Sequence, residues 1–558
     1  MAWSEYQEAI FDFVENGSGN AIIEAVAGSG KSTTIVECTK RLPKVKGSGN
    51  MTGLQAASAI LLAFNKSIAE ELKAKGVNAR TFHSLTYSAV TKSRMVNNIE
   101  TNKMRTVCKQ NMGSDDDFMY SNFVCKLVGL AKQSGFGTPI IMETEQDWIN
   151  LAIHHDLELE NMNANFEDAI QHSMFMLEAS NKSNLLDFDD LLYLAVRENL
   201  RLPQFDFVFV DECQDTNAIQ RALIAMILKP GGRIIGVGDP AQAIYGFRGA
   251  DSDSMHLLAE QFNCISLPLT VSYRCAVNVV KHARKWVSHI ESAPGAPDGQ
   301  VVNMQKHPLS RLIKDTAAQQ PWAFGPNDLM VCRTTKPLVE FAYRCLAAKM
   351  PVKILGREIG QGLKGLISKL KANDVDDLEM KLEAWAMREI DKAIAKNLEA
   401  KAESIQDKAD CILCLIHSLP EDDIADDKAE SVEAVRTINA LLNVIDQLFD
   451  TNVAAMTLAT IHKSKGLEAD RVWWLNSSQC PSKWAKKPWQ KQQERNLQYV
   501  ACTRAKTTLI LVEDGSYRHQ QQEVNSLNLH APENNEQDEG IEGTVDQPRK
   551  GKTWKSRI

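Results

Sequence analysis

Two short stretches hold the residues best suited to chemistry. In "AVAGSGKSTT" (25–34) a lysine and a run of hydroxyls follow two glycines. Small residues let the backbone N–H groups of such a loop point inward, and a helix starting at Lys31 adds its own unsatisfied amides. The product is a cradle for phosphate, lined by Ala27, Gly28, Ser29, Gly30, Lys31, Ser32 and Thr33. Lys31 reaches the β- and γ-phosphates, and the Ser32 hydroxyl ligates Mg²⁺. The spacing follows G-x-x-x-x-G-K-[ST], with Ala25 in place of the first glycine. The second stretch, "FDFVFVDECQDT" (205–216), ends an apolar run in Asp211-Glu212. Asp211 is expected to hold Mg²⁺ through its water shell, and Glu212 to orient and deprotonate an attacking water.

Both sites need strands to present them. "NAIIEAVA" (20–27) reads as a buried strand and Phe205–Val210 as an apolar strand, each mainly apolar, and a helix is expected from Lys31.

Bulk properties are compatible with this. A chain of 558 residues has room for about three to four domains. It is 44% hydrophobic and 24% charged, ordinary for a soluble protein. The longest clean apolar run near the start, "AILLAF" (59–64), is far shorter than a bilayer span. The N-terminus has no basic region followed by an apolar block, so no signal peptide is expected. Twelve cysteines without framework spacing read as reduced intracellular thiols. A cytoplasmic, soluble protein is therefore expected. The net charge of −8 does not exclude a nucleic-acid ligand, because a local groove sets the field.

At "DECQD" the chain resembles the D-E-x-Q-D motif of UvrD/Rep-type superfamily 1 helicases, and Ala25 fits their A-x-x-G-x-G-K-[ST] loop. The resemblance continues in order. "GDPAQAIYGFRGAD" (238–251), "SYRC" (272–275), "TIHKSKGLEAD" (460–470) and "ERNLQYVACTRAK" (494–506) are similar to the family's later motifs, with Ser272 in place of asparagine. "LLAFNKSIAEEL" and "TFHSL" most resemble the helicase part of F-box DNA helicases, though no F-box is evident.

The resemblance implies an α/β fold of two RecA-like P-loop NTPase domains, each with a mainly helical insertion. It implies ATP and Mg²⁺ as cofactors. Gln7 is similar to the adenine-reading glutamine, and Tyr273 to the ring that stacks on adenine. Arg274 and Arg504 resemble arginine fingers, Gln242 the γ-phosphate sensor, and Glu468 the ribose contact. Thr33 stands where several relatives have arginine, which implies a lost adenine or DNA contact and relaxed base selectivity. Phe64, Phe188, Tyr245 and Phe247 fall at base-stacking positions, and Lys66, Thr81, His83 and Arg248 are placed to meet the DNA backbone. His462 joins them as a nucleic-acid contact.

The expected organisation is a first RecA-like domain at 1–88 and 200–268, interrupted by a helical insertion at 89–199. A second occupies 269–365 and 446–515, interrupted by a short acidic helical insertion at 366–445. Residues 516–558, acidic then basic, read as a disordered tail able to tether a partner or DNA. From 374 to 436 there are 18 Asp and Glu against 8 Lys and Arg. So acidic a segment is not expected to grip duplex DNA; it is suited to docking a basic partner, regulating domain closure, or plain solvation. "CILCLIH" places Cys411, Cys414 and His417 on one helical face. Without a second pair they read as a core stripe rather than a zinc site.

The expected activity is an ATP-driven 3′→5′ DNA helicase and translocase in replication, recombination or repair. Its partners would be single-stranded DNA, duplex junctions and a protein partner, without a membrane, on a monomer or weak oligomer. A translocase that strips proteins or joint molecules and unwinds duplex poorly remains an alternative. So does an RNA substrate. The complete set Lys31, Asp211, Glu212, Arg274 and Arg504 argues against a non-catalytic DNA-binding scaffold.

Overall fold

A computed structural model of the chain describes residues 3–513 apart from 47–53, 97, 156, 158, 160–163, 245–252, 305–308, 321, 396–398, 420–435 and 450–454. The expected strand at 20–27 closes at Ala25, and Val26 and Ala27 pass into the phosphate loop. The strand Phe205–Val210 and the helix Lys31–Lys40 form where the apolar runs and the glycines place them.

Two six-stranded sheets carry the architecture, with every paired strand parallel. The first runs, edge to edge, Ala79–Thr81, Ala59–Ala63, Phe205–Val210, Leu228–Gly238, Asn20–Ala25 and Cys264–Leu269. The second runs Gln300–Met304, Ala505–Val512, Ala469–Leu475, Leu329–Cys332, Met456–Thr460 and Val352–Ile354. Parallel strands need crossovers, and helices supply them on both faces. In such sheets ligands sit beyond the carboxyl ends of the strands. In the first sheet the phosphate loop, the Asp211-Glu212 pair and Asp239 all follow neighbouring strands at that end.

Helices between the third and fourth strands of the first half, among them Ser114–Ser134, Phe166–Lys182 and Phe188–Arg197, do not stand apart from their sheet. Phe123, Trp148 and Leu177 share one core with Ile22, Leu62 and Val210. The second group, Arg357–Leu370, Val375–Ala395, Glu399–Ile416 and Ile438–Leu448, behaves likewise. Leu382, Ile412 and Leu441 pack in the same cluster as Met330, Trp473 and Ile510 of the second sheet. Asp407 also accepts hydrogen bonds from the N–H groups of Thr335 (2.9 Å) and Lys336 (2.8 Å), at the start of the helix Lys336–Ala347.

The acidic insertion is therefore part of the second half's core. Leu382→Ala is expected to cost about 2–5 kcal/mol and to lower a single cooperative melting transition. An early, separate transition in calorimetry would show an independent module instead.

Cys411 is buried in this core, and His417 Nε2 lies 2.7 Å from Glu379 Oε1. No group of three or more His, Cys, Asp or Glu that could hold a metal ion occurs among the described residues. No helix among them is long and apolar enough to cross a membrane. The tail at 516–558 lies outside the described residues.

Candidate functional site

The phosphate loop gets its shape from two glycines. Gly28 and Gly30 have φ of +72° and +82°, a region that L side chains rarely adopt. At Gly28 space is also limiting. A Cβ there would lie 2.4 Å from Arg274 Cβ and 3.0 Å from Ser272 Oγ. Gly30 caps the helix Lys31–Lys40 without a side chain, so the first amides of that helix open toward the loop. Ser32 and Thr33 are exposed on its first turn, and Ser29 Oγ is buried with no hydrogen-bond partner.

The acidic pair faces this loop. Lys31 Nζ lies 3.3 Å from Glu212 Oε1. Glu212 holds φ +50°, a strained conformation for its residue type. Burial, with the Glu212 charge beside it, pushes the Asp211 carboxyl up to about 7. Burial also pushes Glu212 up, but Lys31 and then Lys465 outweigh it and hold that carboxyl down at about 2. Glu212 is thus the anionic member of the pair. The buried Asp211 carboxyl, the half-buried Glu212 carboxylate and the exposed Ser32 hydroxyl are hard oxygen donors, which fit Mg²⁺ carried in with phosphates and its own waters. Ser32 and Asp211 are the residues that would hold it.

The second half closes over the first. Gln242 Nε2 donates to Asp239 Oδ2 (2.7 Å), and Arg504 Nη2 donates to Gln242 Oε1 (3.3 Å). Arg504 is fully buried, with its other N–H groups on the carbonyls of Val500 and Leu467 (both 3.0 Å). Burial lowers it to about 10, so it stays a cation near neutral pH. Arg274 Nε is 2.6 Å from Glu468 Oε2, and Lys506 joins the same carboxylate at 3.0 Å. The residue similar to a finger and the residue similar to a ribose contact are thus ion-paired. Tyr273 donates its backbone N–H to Gly28 O (2.9 Å), and its side chain is exposed beside the loop. Gln7 is buried nearby. Its Oε1 accepts from Ser4 N (3.1 Å), and its Nε2 donates to Thr34 Oγ1 (3.0 Å), which ties the first helix to the loop helix.

A cleft of about 220 Å³ opens on the first half, with Phe64, His83, Gln133, Asp189 and Asp215 among its walls. Phe64 is 44% and Phe188 56% exposed, unusual for phenylalanine, and the Phe188 ring meets His83 edge-on at 6.2 Å. Burial lowers the His83 pKa, which favours the neutral ring. Thr81 caps the helix Phe82–Arg94, its hydroxyl accepting from Ser84 N (3.2 Å), so that hydroxyl is engaged. Lys66 Nζ stands in solvent 3.6 Å from Glu70. His462 lies in the turn after Met456–Thr460. Tyr245, Phe247 and Arg248 fall outside the described residues.

Several site residues escape sequence reasoning. Lys465 Nζ bridges Asp215 Oδ2 (2.6 Å) and Gln242 O (2.9 Å) across the two halves. Gln214 donates from Nε2 to Glu212 and accepts Asp239 N–H at 3.1 Å. Both stand inside quoted motifs, but only the fold shows their partners. In the first insertion, Asp190 is buried between Lys103 Nζ (2.6 Å) and Lys132 Nζ (2.7 Å). That anchors the helix whose first residue is Phe188.

Comparison with known proteins adds an independent line. The UvrD/REP helicase N-terminal domain matches residues 6–263, and the UvrD-like helicase C-terminal domain matches 367–514. The chain is 25% identical over 311 residues to the ATP-dependent DNA helicase Rep of Buchnera aphidicola subsp. Schizaphis graminum, covering 50% of this chain and 43% of the relative. It is 26% identical over 297 residues to Rep of Escherichia coli, covering 48% and 41%. A probable DNA helicase II homolog of Mycoplasma pneumoniae is 26% identical over 306 residues, covering 50% and 42%. In each case the match spans less than half of the relative's length.

Proposed function

The chain belongs to the UvrD/Rep helicase family, and from that premise we propose that it couples ATP hydrolysis to 3′→5′ movement along single-stranded DNA, unwinding duplex ahead of it. One observation carries the proposal. In the first half Lys31 pairs with Glu212 and Asp239 with Gln242, and Arg504 of the second half donates to Gln242 across the boundary. Relatives named as ATP-dependent DNA helicases support the substrate class.

In this mechanism the loop amides and the start of the helix Lys31–Lys40 receive the phosphates. Lys31 moves to the β- and γ-phosphates and leaves Glu212. Without that cation, Glu212 gains proton affinity as the attacking water arrives, which suits a base. Ser32 and Asp211 would hold Mg²⁺, which when bound would neutralise charge on the phosphate oxygens. Arg504 and Arg274 meet the charge that develops on the transferring phosphoryl group. Tyr273 stacks on the base, and Glu468 exchanges Arg274 for the ribose. Gln242 links the γ-phosphate position to the Arg504 side chain, so hydrolysis loosens the contact between the halves. With Thr33 on the loop helix, base selectivity is relaxed. Phe64 and Phe188 supply stacking faces for the strand, joined by Tyr245 and Phe247. The acidic insertion and the tail are the proposed protein-partner sites.

The test is ATPase activity with and without single-stranded DNA or RNA of matched sequence. Strong stimulation by DNA is expected, and stimulation by RNA alone would contradict the proposal. Phe64→Ala is expected to remove one stacking face worth about 1–3 kcal/mol. The affinity for labelled oligo-dT in an anisotropy titration should fall about 5- to 150-fold. An unchanged affinity would make Phe64 a bystander.

A further inference from the structure

We infer that Asn496 and Tyr499 form a two-point clamp that sets the spacing between the phosphate loop and the sensor turn, and so act as positioning residues for hydrolysis; the inference rests on the function proposed above. Both stand on the helix Pro488–Cys502, three residues apart and hence on one face. Both are buried, and both reach from the second half onto the first.

Asn496 Nδ2 donates to Ala243 O (2.8 Å) and Pro240 O (3.2 Å). Those carbonyls flank Gln242 on either side. Gln492 Nε2 donates to Asn496 Oδ1 (3.0 Å), which turns the amide so that its N–H groups face the turn. One turn along the helix, the Tyr499 hydroxyl accepts the backbone N–H of Ala27 at 2.9 Å. Burial raises the Tyr499 phenol well above its usual range, so it stays protonated. Arg504 follows this helix after the single cap residue Thr503. One rigid element therefore touches the start of the phosphate loop, grips both sides of the sensor, and delivers the finger.

Buried donors and acceptors are costly when unpaired. The two contacts should therefore close together or open together, and Arg504 reaches the phosphates only when both are made. A packing role alone predicts something different. Tyr499 belongs to the same buried apolar cluster as Val279, Val500 and Leu509, and phenylalanine would keep that packing.

The test uses Tyr499→Phe, Asn496→Leu and the double variant in the full chain. Each single variant should lower the DNA-stimulated kcat about tenfold and leave KM for ATP within about twofold. The double variant should lose far less than the product of the two, about twentyfold rather than a hundredfold. Hydrogen exchange at Ala27, measured with a non-hydrolysable ATP analogue bound, should quicken in all three. Variants that keep kcat and exchange within about twofold of an active wild type would overturn the clamp. So would fully multiplicative losses. A wild type that hydrolyses no ATP would sink the helicase reading instead, and the exchange measurement would still decide the clamp.

Discussion

Glu212→Gln lowers the steady-state kcat for ATP by about 10²–10⁴-fold, the range that a positioned general base supplies, while ATP binding persists. The amide keeps the shape of the side chain but cannot take the proton of the attacking water. It also leaves Lys31, 3.3 Å away, without its carboxylate partner. The ammonium is then free for phosphate, so nucleotide affinity should hold or rise. Fluorescent ATP analogue titration beside single-turnover hydrolysis separates the two effects. A variant with near-normal turnover would remove Glu212 from the role of base.

The second large effect is at Arg504. A cation aimed at the transferring phosphoryl group contributes about 10³–10⁵ in rate, and Arg504→Ala should lose most of it. Because the residue is fully buried, folding has to be followed in parallel by thermal melting. Arg504→Lys keeps a charge. It cannot hold the Val500 and Leu467 carbonyls and Gln242 at once, so partial rescue is expected. If a folded Arg504→Ala protein kept its rate within about tenfold, Arg274 would be the working finger, freed from Glu468 when nucleotide binds.

What was legible in the sequence was local. The run before Gly28 and the run before Asp211 announce their strands because apolar residues stop sharply at glycine or acid. The strand ends at Ala25 and not at Ala27 because the chain turns early: Val26 N–H still pairs with Leu269 O, and Ser29 N–H then folds back to Val26 O. Family motifs supplied the order of the site residues along the chain. The helical character expected at 366–445 is seen in the helix Val375–Ala395.

Partnerships across the two halves were not legible. Tyr499 and Ala27 are 472 residues apart, and no periodicity connects them. Lys465 with Asp215, and Lys103 with Asp190, defeat a reading in which charge means surface. A buried ion pair is a tertiary fact: each partner is tolerable inside only because the other is there. The net charge of 374–436 suits docking of a basic partner, regulation of domain closure or plain solvation. The same segment also places Leu382 and Ile412 in the second half's core, and its Asp407 accepts the Thr335 and Lys336 N–H groups, so net charge alone does not reveal which residues face inward.

The central claim is directional, ATP-driven movement on a single strand. Its most direct test is strand displacement by the purified protein with ATP on three matched duplexes, one 3′-tailed, one 5′-tailed and one blunt. Efficient unwinding is expected for the 3′-tailed duplex alone, abolished by Glu212→Gln. Unwinding of the 5′-tailed duplex in preference, or unwinding that survives Glu212→Gln, would contradict it.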